Sequence, residues 1–158
     1  MEEKVTFAVP DLLLRLGVAV ALGGAIGLER ELRRKVAGLR TNAMVALGAA
    51  VFTVVAVELF SETESGDPTR IVMGVATGLG FLGAGSMIRS RHGVKGVTTA
   101  AGIWVVGAVG AACGVGAFEV ALVATGLALV VFFALGKFEA QVIEEKDYAE
   151  PDESHSGG

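Results

Sequence analysis

The chain has 158 residues, 53% hydrophobic and 19% charged, with a mean hydropathy of +0.63 and a formal net charge of −4. The charged share falls below the roughly 25% usual for soluble domains, and so much apolar residue excludes a disordered chain. The acidic balance disfavours a nucleic-acid domain, and a single cysteine, Cys113, excludes a disulfide framework. What remains is a small polytopic membrane protein, all-α, built as a helical bundle.

A crossing helix needs about 20 mostly apolar residues. In chain order the candidates are Leu12 to Leu28, Ala43 to Phe60, and Ile71 to Ile88. The last apolar run, Val97 to Leu135, would be about 58 Å long as one helix. It must therefore turn, and the two glycines of Cys113 to Glu119 mark the place. This predicts a fourth span near 97–114 and a shorter fifth near 119–135. Four spans with a re-entrant last segment is the alternative. The expected organisation is an extracytoplasmic N-terminus over 1–11, a transmembrane bundle over 12–136, and an acidic cytoplasmic tail over 137–158. That tail is expected to be largely disordered beyond Glu144. The opening Glu2 and Glu3 do not suit a signal peptide.

Charge in the connections is uneven. The segment 29–42 carries Arg30, Arg33, Arg34, Lys35 and Arg40, and the segment 89–96 carries Arg89, Arg91 and Lys95. Together they hold eight of the 13 Lys and Arg residues, whereas 61–70 is acidic. Basic loops stay cytoplasmic, so five spans put the N-terminus outside and the C-terminus inside. Both basic loops also share a frame: Gly-Ala before the basic stretch, then Val-x-Gly-apolar-x-Thr into the next span (Val36 to Thr41, Val94 to Thr99). This reads as a parallel two-helix repeat about an axis along the membrane normal. Gly38 and Gly96 would supply positive φ in tight turns. Thr41 with Asn42, and Thr98 with Thr99, would cap the following helices.

Charges at membrane depth are costly. Arg15 and Glu58 either snorkel to the outer interface or pair with each other, locking two spans. Glu29 has Arg33, and Glu31 has Lys35, at i,i+4. The sharper reading makes Glu29 the acid at the mouth of a polar crevice facing Arg40 and Asn42. Glycines at small-xxx-small spacing (Gly23 and Gly27, Gly74 and Gly78, Gly110 and Gly114) serve close packing within the bundle or a dimer interface. The string GLGFLG over 78–83 matches a dinucleotide fingerprint in letters only, because it lacks the flanking strand. Cys113 reads as a buried inert thiol. His92 and His155 have no second ligand at metal spacing. No nucleophile–base arrangement is visible, so no enzyme, catalytic residue, metal site or cofactor is expected.

The strings GAIGLERE (24–31), AGLRTNA (37–43), GLGFLGAG (78–85) and VKGVTTAAGIW (94–104) closely resemble the MgtC/SapB family of bacterial inner-membrane proteins. The resemblance spans Leu12 to Leu135 and fits a short, SapB-like member without the C-terminal soluble domain. Its motif positions fall here on Glu29, Arg30, Gly38, Arg40, Thr41, Asn42, Gly80, Gly83, Gly85, Gly96, Thr99 and Trp104. The resemblance implies a multi-pass plasma-membrane protein of a virulence-associated family, linked to magnesium limitation and stress adaptation. It further implies regulation of other membrane machinery, with ATP synthase or a magnesium transporter as partner.

Two functions follow from the residues. One is a regulator that meets its partner through glycine-lined helix faces, steadied on anionic headgroups by the basic loops; a homo-oligomer is compatible with this. The other is a small-ion transporter or channel with a polar inner mouth near Glu29 and Asn42. The basic residues around Glu29, and the lack of a mid-membrane carboxylate, favour the regulator.

Overall fold

The structure is a computed structural model that describes residues 7–60, 67, 69–90 and 93–149, with side chains on all of these except 60, 89, 90 and 137–149. It is an all-α bundle of five helices: α1 (Val9–Leu32), α2 (Leu39–Phe60), α3 (Thr69–Gly85), α4 (Val97–Val115) and α5 (Phe118–Ala149). Four of them are long and apolar enough to cross a membrane. At 17 residues, α3 is about 26 Å long, at the short end of the spanning range.

Helix directions follow from where small residues meet. Gly23 of α1 lies against Asn42 and Ala46 of α2, and Gly27 against Gly38 and Leu39, so α1 and α2 are antiparallel. Gly110 of α4 lies on the Ala46 backbone and Gly114 on Ala50, so α2 and α4 run parallel. Gly83 of α3 meets Ala100, and Leu79 meets Gly107, so α3 and α4 are antiparallel. Two hairpins thus stand side by side in the same sense, as the parallel repeat requires. The α1–α2 and α3–α4 connections consequently lie at one end, bringing Arg33, Arg34, Lys35 and Lys95 to the same side of the bundle. Since α2 leaves the chain at the far end and α4 begins at the near end, α3 must cross back between them. The four-span alternative concerned the last segment instead, and there Phe118–Gly136 is one continuous apolar helix long enough to cross.

The core is made of small side chains. Ala19, Ala46, Ala50, Val106, Val109 and Cys113 are buried, and Ile26 is the largest fully buried side chain. Large apolar residues point outward instead, including Met73, Phe81, Leu122 and Leu127. An inside of Gly and Ala with an outside of Leu, Phe and Val is the arrangement for a lipid solvent, where close backbone packing replaces the hydrophobic drive.

The expected break between the last two spans falls at Gly116, which ends α4 in the left-handed conformation (φ 84°). Its amide donates to Cys113 O, and that of Ala117 to Ala112 O, the paired bonds of a Schellman motif. The following helix is longer than the expected 119–135, continuing past Gly136 and Glu144 to Ala149. The chain divides into a unit over 1–128 and a second over 129–158, whose described residues are the distal part of α5. Between α3 and α4 a short antiparallel hairpin, β1 (Ile88–Ser90) and β2 (Gly93–Lys95), stands where only a loop was expected, with Arg89 opposite Val94. Arg91, His92, His155 and the rest of 150–158 lie outside the described residues.

Candidate functional site

The motif residues of the first repeat gather at the α1–α2 turn. Glu29 and Arg30, in the last turn of α1, are only 5% and 4% exposed. Arg30 Nε donates to Glu29 Oε2 at 2.6 Å, and Arg33 Nε pairs with Glu29 Oε1 from one turn on. The expected Glu29–Arg33 bridge is therefore present, and Arg30 joins it. One carboxylate between two guanidiniums is a compact cluster at the end of α1. Each charge would be costly in hydrocarbon by itself, and pairing with short charge-assisted bonds offsets that cost.

The turn is tied down on both sides. Arg34 sits at φ 54°, the one positive-φ residue other than glycine among those described. Its amide donates to Glu31 O and the Lys35 amide to Arg30 O, which closes α1 with a second Schellman motif. Glu31 Oε2 accepts from the Leu39 amide at 2.7 Å, so Glu31 caps α2 instead of pairing with Lys35. A carboxylate at a helix N-terminus meets free amides and the positive end of the dipole.

Asn42 is 2% exposed and donates from Nδ2 to Ala37 O and Gly38 O, both at 2.9 Å. It fastens the turn that precedes its own helix. This corrects the expectation that Thr41 and Asn42 are N-caps: α2 starts at Leu39, so both residues lie inside its first turn. Thr98 and Thr99 likewise lie inside α4, whose N-cap Gly96 has no side-chain cap bond. Nor does Gly38 take positive φ. Its missing Cβ instead makes room for the Glu31 carboxylate. Gly96 does need its freedom: φ is 93°, and a Cβ would run into Ser86 O.

The remaining motif residues are dispersed. Arg40 and Thr41 are exposed on α2, whereas Glu29 is buried with Arg30 and Arg33 as its partners. Gly83 packs on Ala100, whereas Gly80 and Gly85 have open space where a Cβ would stand. Thr99 is buried, and Trp104 is 53% exposed on the outer surface of α4. The GLGFLG string lies wholly within α3. Cys113 is buried as expected.

At the opposite end, Arg15 is bound otherwise than expected. It pairs with Asp11 at 2.8 Å, donates from Nη1 to Gly114 O at 2.9 Å, and lies 4.4 Å from the Phe7 ring centroid. Glu58 accepts from the Phe7 amide at 3.3 Å. Arg15 and Glu58 thus clasp Phe7 instead of each other. Asp11 stands one turn from Arg15 on the same helix face, within direct reach. The sequence reading missed Phe7 and gave Glu31 the wrong partner, Lys35 in place of the Leu39 amide. Glu31 was legible as an acid eight residues before a helix start, but only the turn geometry brings it round.

The family model for the MgtC family matches residues 16–141. Protein MgtC of Brucella abortus is 45% identical over 131 residues, covering 82% of this chain and 52% of the relative. Protein MgtC of Salmonella typhimurium is 48% identical over 114 residues, covering 72% and 47%. An uncharacterized Synechocystis protein is 44% identical over 123 residues, covering 78% and 51%. The chain therefore spans about half the length of these relatives. No solved structure matches. With the two-hairpin bundle, its apolar exterior and the polar turn on the page, the chain belongs to the MgtC family and is a multi-pass membrane protein of that type.

Proposed function

We propose that the protein is a non-catalytic regulator that acts by contact on other membrane machinery of the bacterial plasma membrane. The observation that carries this reading is the commitment of Glu29. Its Oε2 accepts from Arg30 Nε and its Oε1, which accepts no hydrogen bond, lies in ion-pair contact with Arg33 Nε, so the carboxylate already faces two guanidiniums where a cation would have to sit. Asn42 spends its amide hydrogens on the turn. The polar end is thus built as a sealed fastening, which argues against a transport mouth.

A contact role needs exposed surface, and the conspicuous one is the outer side of α3, where Phe81 is 80% exposed and Met73 lies exposed two turns away. The basic connections would face the cytoplasm and hold the bundle against anionic headgroups at about 1 kcal/mol per nearby cation, leaving the N-terminus outside and the C-terminus inside. The family resemblance directs the partner toward ATP synthase or a magnesium transporter under magnesium limitation or stress.

Photo-crosslinking from Phe81 and Trp104 in native membranes tests the reading. Adducts with a defined membrane protein at Phe81 support it. Flux of magnesium, proton or phosphate through reconstituted liposomes, above that of empty vesicles, overturns it in favour of a transporter.

A further inference from the structure

Within the bundle, α2 and α3 barely touch, and the space between them is a groove of about 750 Å³. It runs from Thr41 past Gly48 to Val55 on α2, and from Arg70 past Gly74 and Gly78 on α3. At each of these three glycines a Cβ would meet nothing within 4 Å, so the walls stand apart at mid-depth. The lining is apolar except for Thr41 at one end and Arg70 at the other. In a bilayer such a groove fills with hydrocarbon or protein.

We propose that the groove holds one anionic diacyl phospholipid, its chains between α2 and α3 and its phosphate at Arg70, in the leaflet opposite the basic connections. Size argues for chains. The groove extends roughly 21 Å from Thr41 to Val55, a long apolar space in which extended hydrocarbon chains would make van der Waals contact with both walls. Charge argues for the headgroup. Arg70 lines the mouth, and among the described residues no carboxylate forms a salt bridge with it. Its electrostatic neighbour Asp67 gives its carboxylate to the Thr69 amide and hydroxyl. The Arg70 guanidinium feels the Asp67 charge at a distance and can offer its donors to a phosphate, the anion that arginine's planar fork matches.

The full chain is reconstituted in vesicles of equal parts phosphatidylcholine and phosphatidylglycerol, extracted in mild detergent, and weighed by native mass spectrometry. The expected result is one retained phospholipid, phosphatidylglycerol favoured by about fivefold. Arg70→Gln should bring the two lipids near parity without loss of binding. Gly74→Leu with Gly78→Leu should abolish retention, while Gly126→Leu, equally open but outside the groove, should not. A wild type that retains no lipid, or shows no preference, overturns the proposal. So does a photoreactive group at position 78 that labels polypeptide instead of lipid. Should the double leucine variant fail to fold, the Arg70→Gln ratio and the label at 78 still decide.

Discussion

Gly110 with Gly114 and Gly74 with Gly78 have the same spacing in sequence and opposite surroundings in the fold. The first pair is consumed. A Cβ at Gly110 would fall within contact of the Ala46 carbonyl, and one at Gly114 would lie 2.6 Å from Ala50 O. The second pair faces an open groove. Small-xxx-small spacing therefore marks where a backbone can approach, without saying whether one does. The sharpest break between the two is Gly110→Leu against Gly74→Leu. The first should abolish the folded bundle, since the obstacle is main chain that cannot give way. The second should shift stability by no more than about 0.5 kcal/mol. Thermal unfolding of the detergent-solubilised protein measures both. A Gly110→Leu variant that melts like wild type would refute the α2–α4 packing.

The two charged clusters differ in the same way. Arg15 is partly exposed, with a partly exposed Asp11 partner, whereas Glu29 and Arg30 are buried together. Removing one member of a buried pair leaves an uncompensated charge. Glu29→Gln should thus cost about 3–5 kcal/mol, and Asp11→Asn under about 1 kcal/mol. Equal losses would mean that the inner cluster is solvated. Asn42→Ala removes two bonds to the turn and should cost about 2 kcal/mol, read from the same melts.

Much of this was legible. Hydropathy located every helix, because a lipid-facing surface demands long apolar runs, and the two glycines within Cys113 to Glu119 placed the last turn because glycine weakens a helix. The basic segments and their shared frame led to two parallel hairpins. What could not be read was partner choice. Arg15 had two carboxylates within plausible reach, and letters alone do not rank them. Asn42 looked like a cap because caps and turn-fastening residues share one chemistry, a short polar side chain near free backbone groups. The groove was invisible too. It arises from how far α3 stands from α2, which depends on side chains across a third helix.

Two turns of the same type give a smaller comparison. Gly116 and Arg34 both end a helix in a left-handed Schellman motif. Arginine pays a steric penalty there that glycine does not. Arg34→Gly should raise stability by about 0.5–1 kcal/mol in detergent, since glycine relieves the strain but loses more entropy on folding. No gain, or a loss, would mean that the Arg34 side chain contributes as much as its backbone costs.

The smallest expected effect lies at the other end, where pH replaces substitution as the probe. Asp67 accepts from the Thr69 hydroxyl at 2.6 Å and the Thr69 amide at 2.9 Å. These bonds, led by the hydroxyl, hold its carboxyl below the ordinary 3.8, with the Arg70 charge adding to them. A depressed folded-state pKa contributes stability that is present above the unfolded value and lost as pH falls through the folded one. The bundle should therefore lose a small increment on acidification below pH 3.8, and Asp67→Asn should remove that part of the pH dependence. Thr69→Val deletes the hydroxyl, the larger cause, and should return the carboxyl toward its ordinary value. If the Asp67→Asn melting profile still bends by the same amount over that range, the acid sensitivity belongs to other carboxylates, and the start of α3 is not held by Asp67.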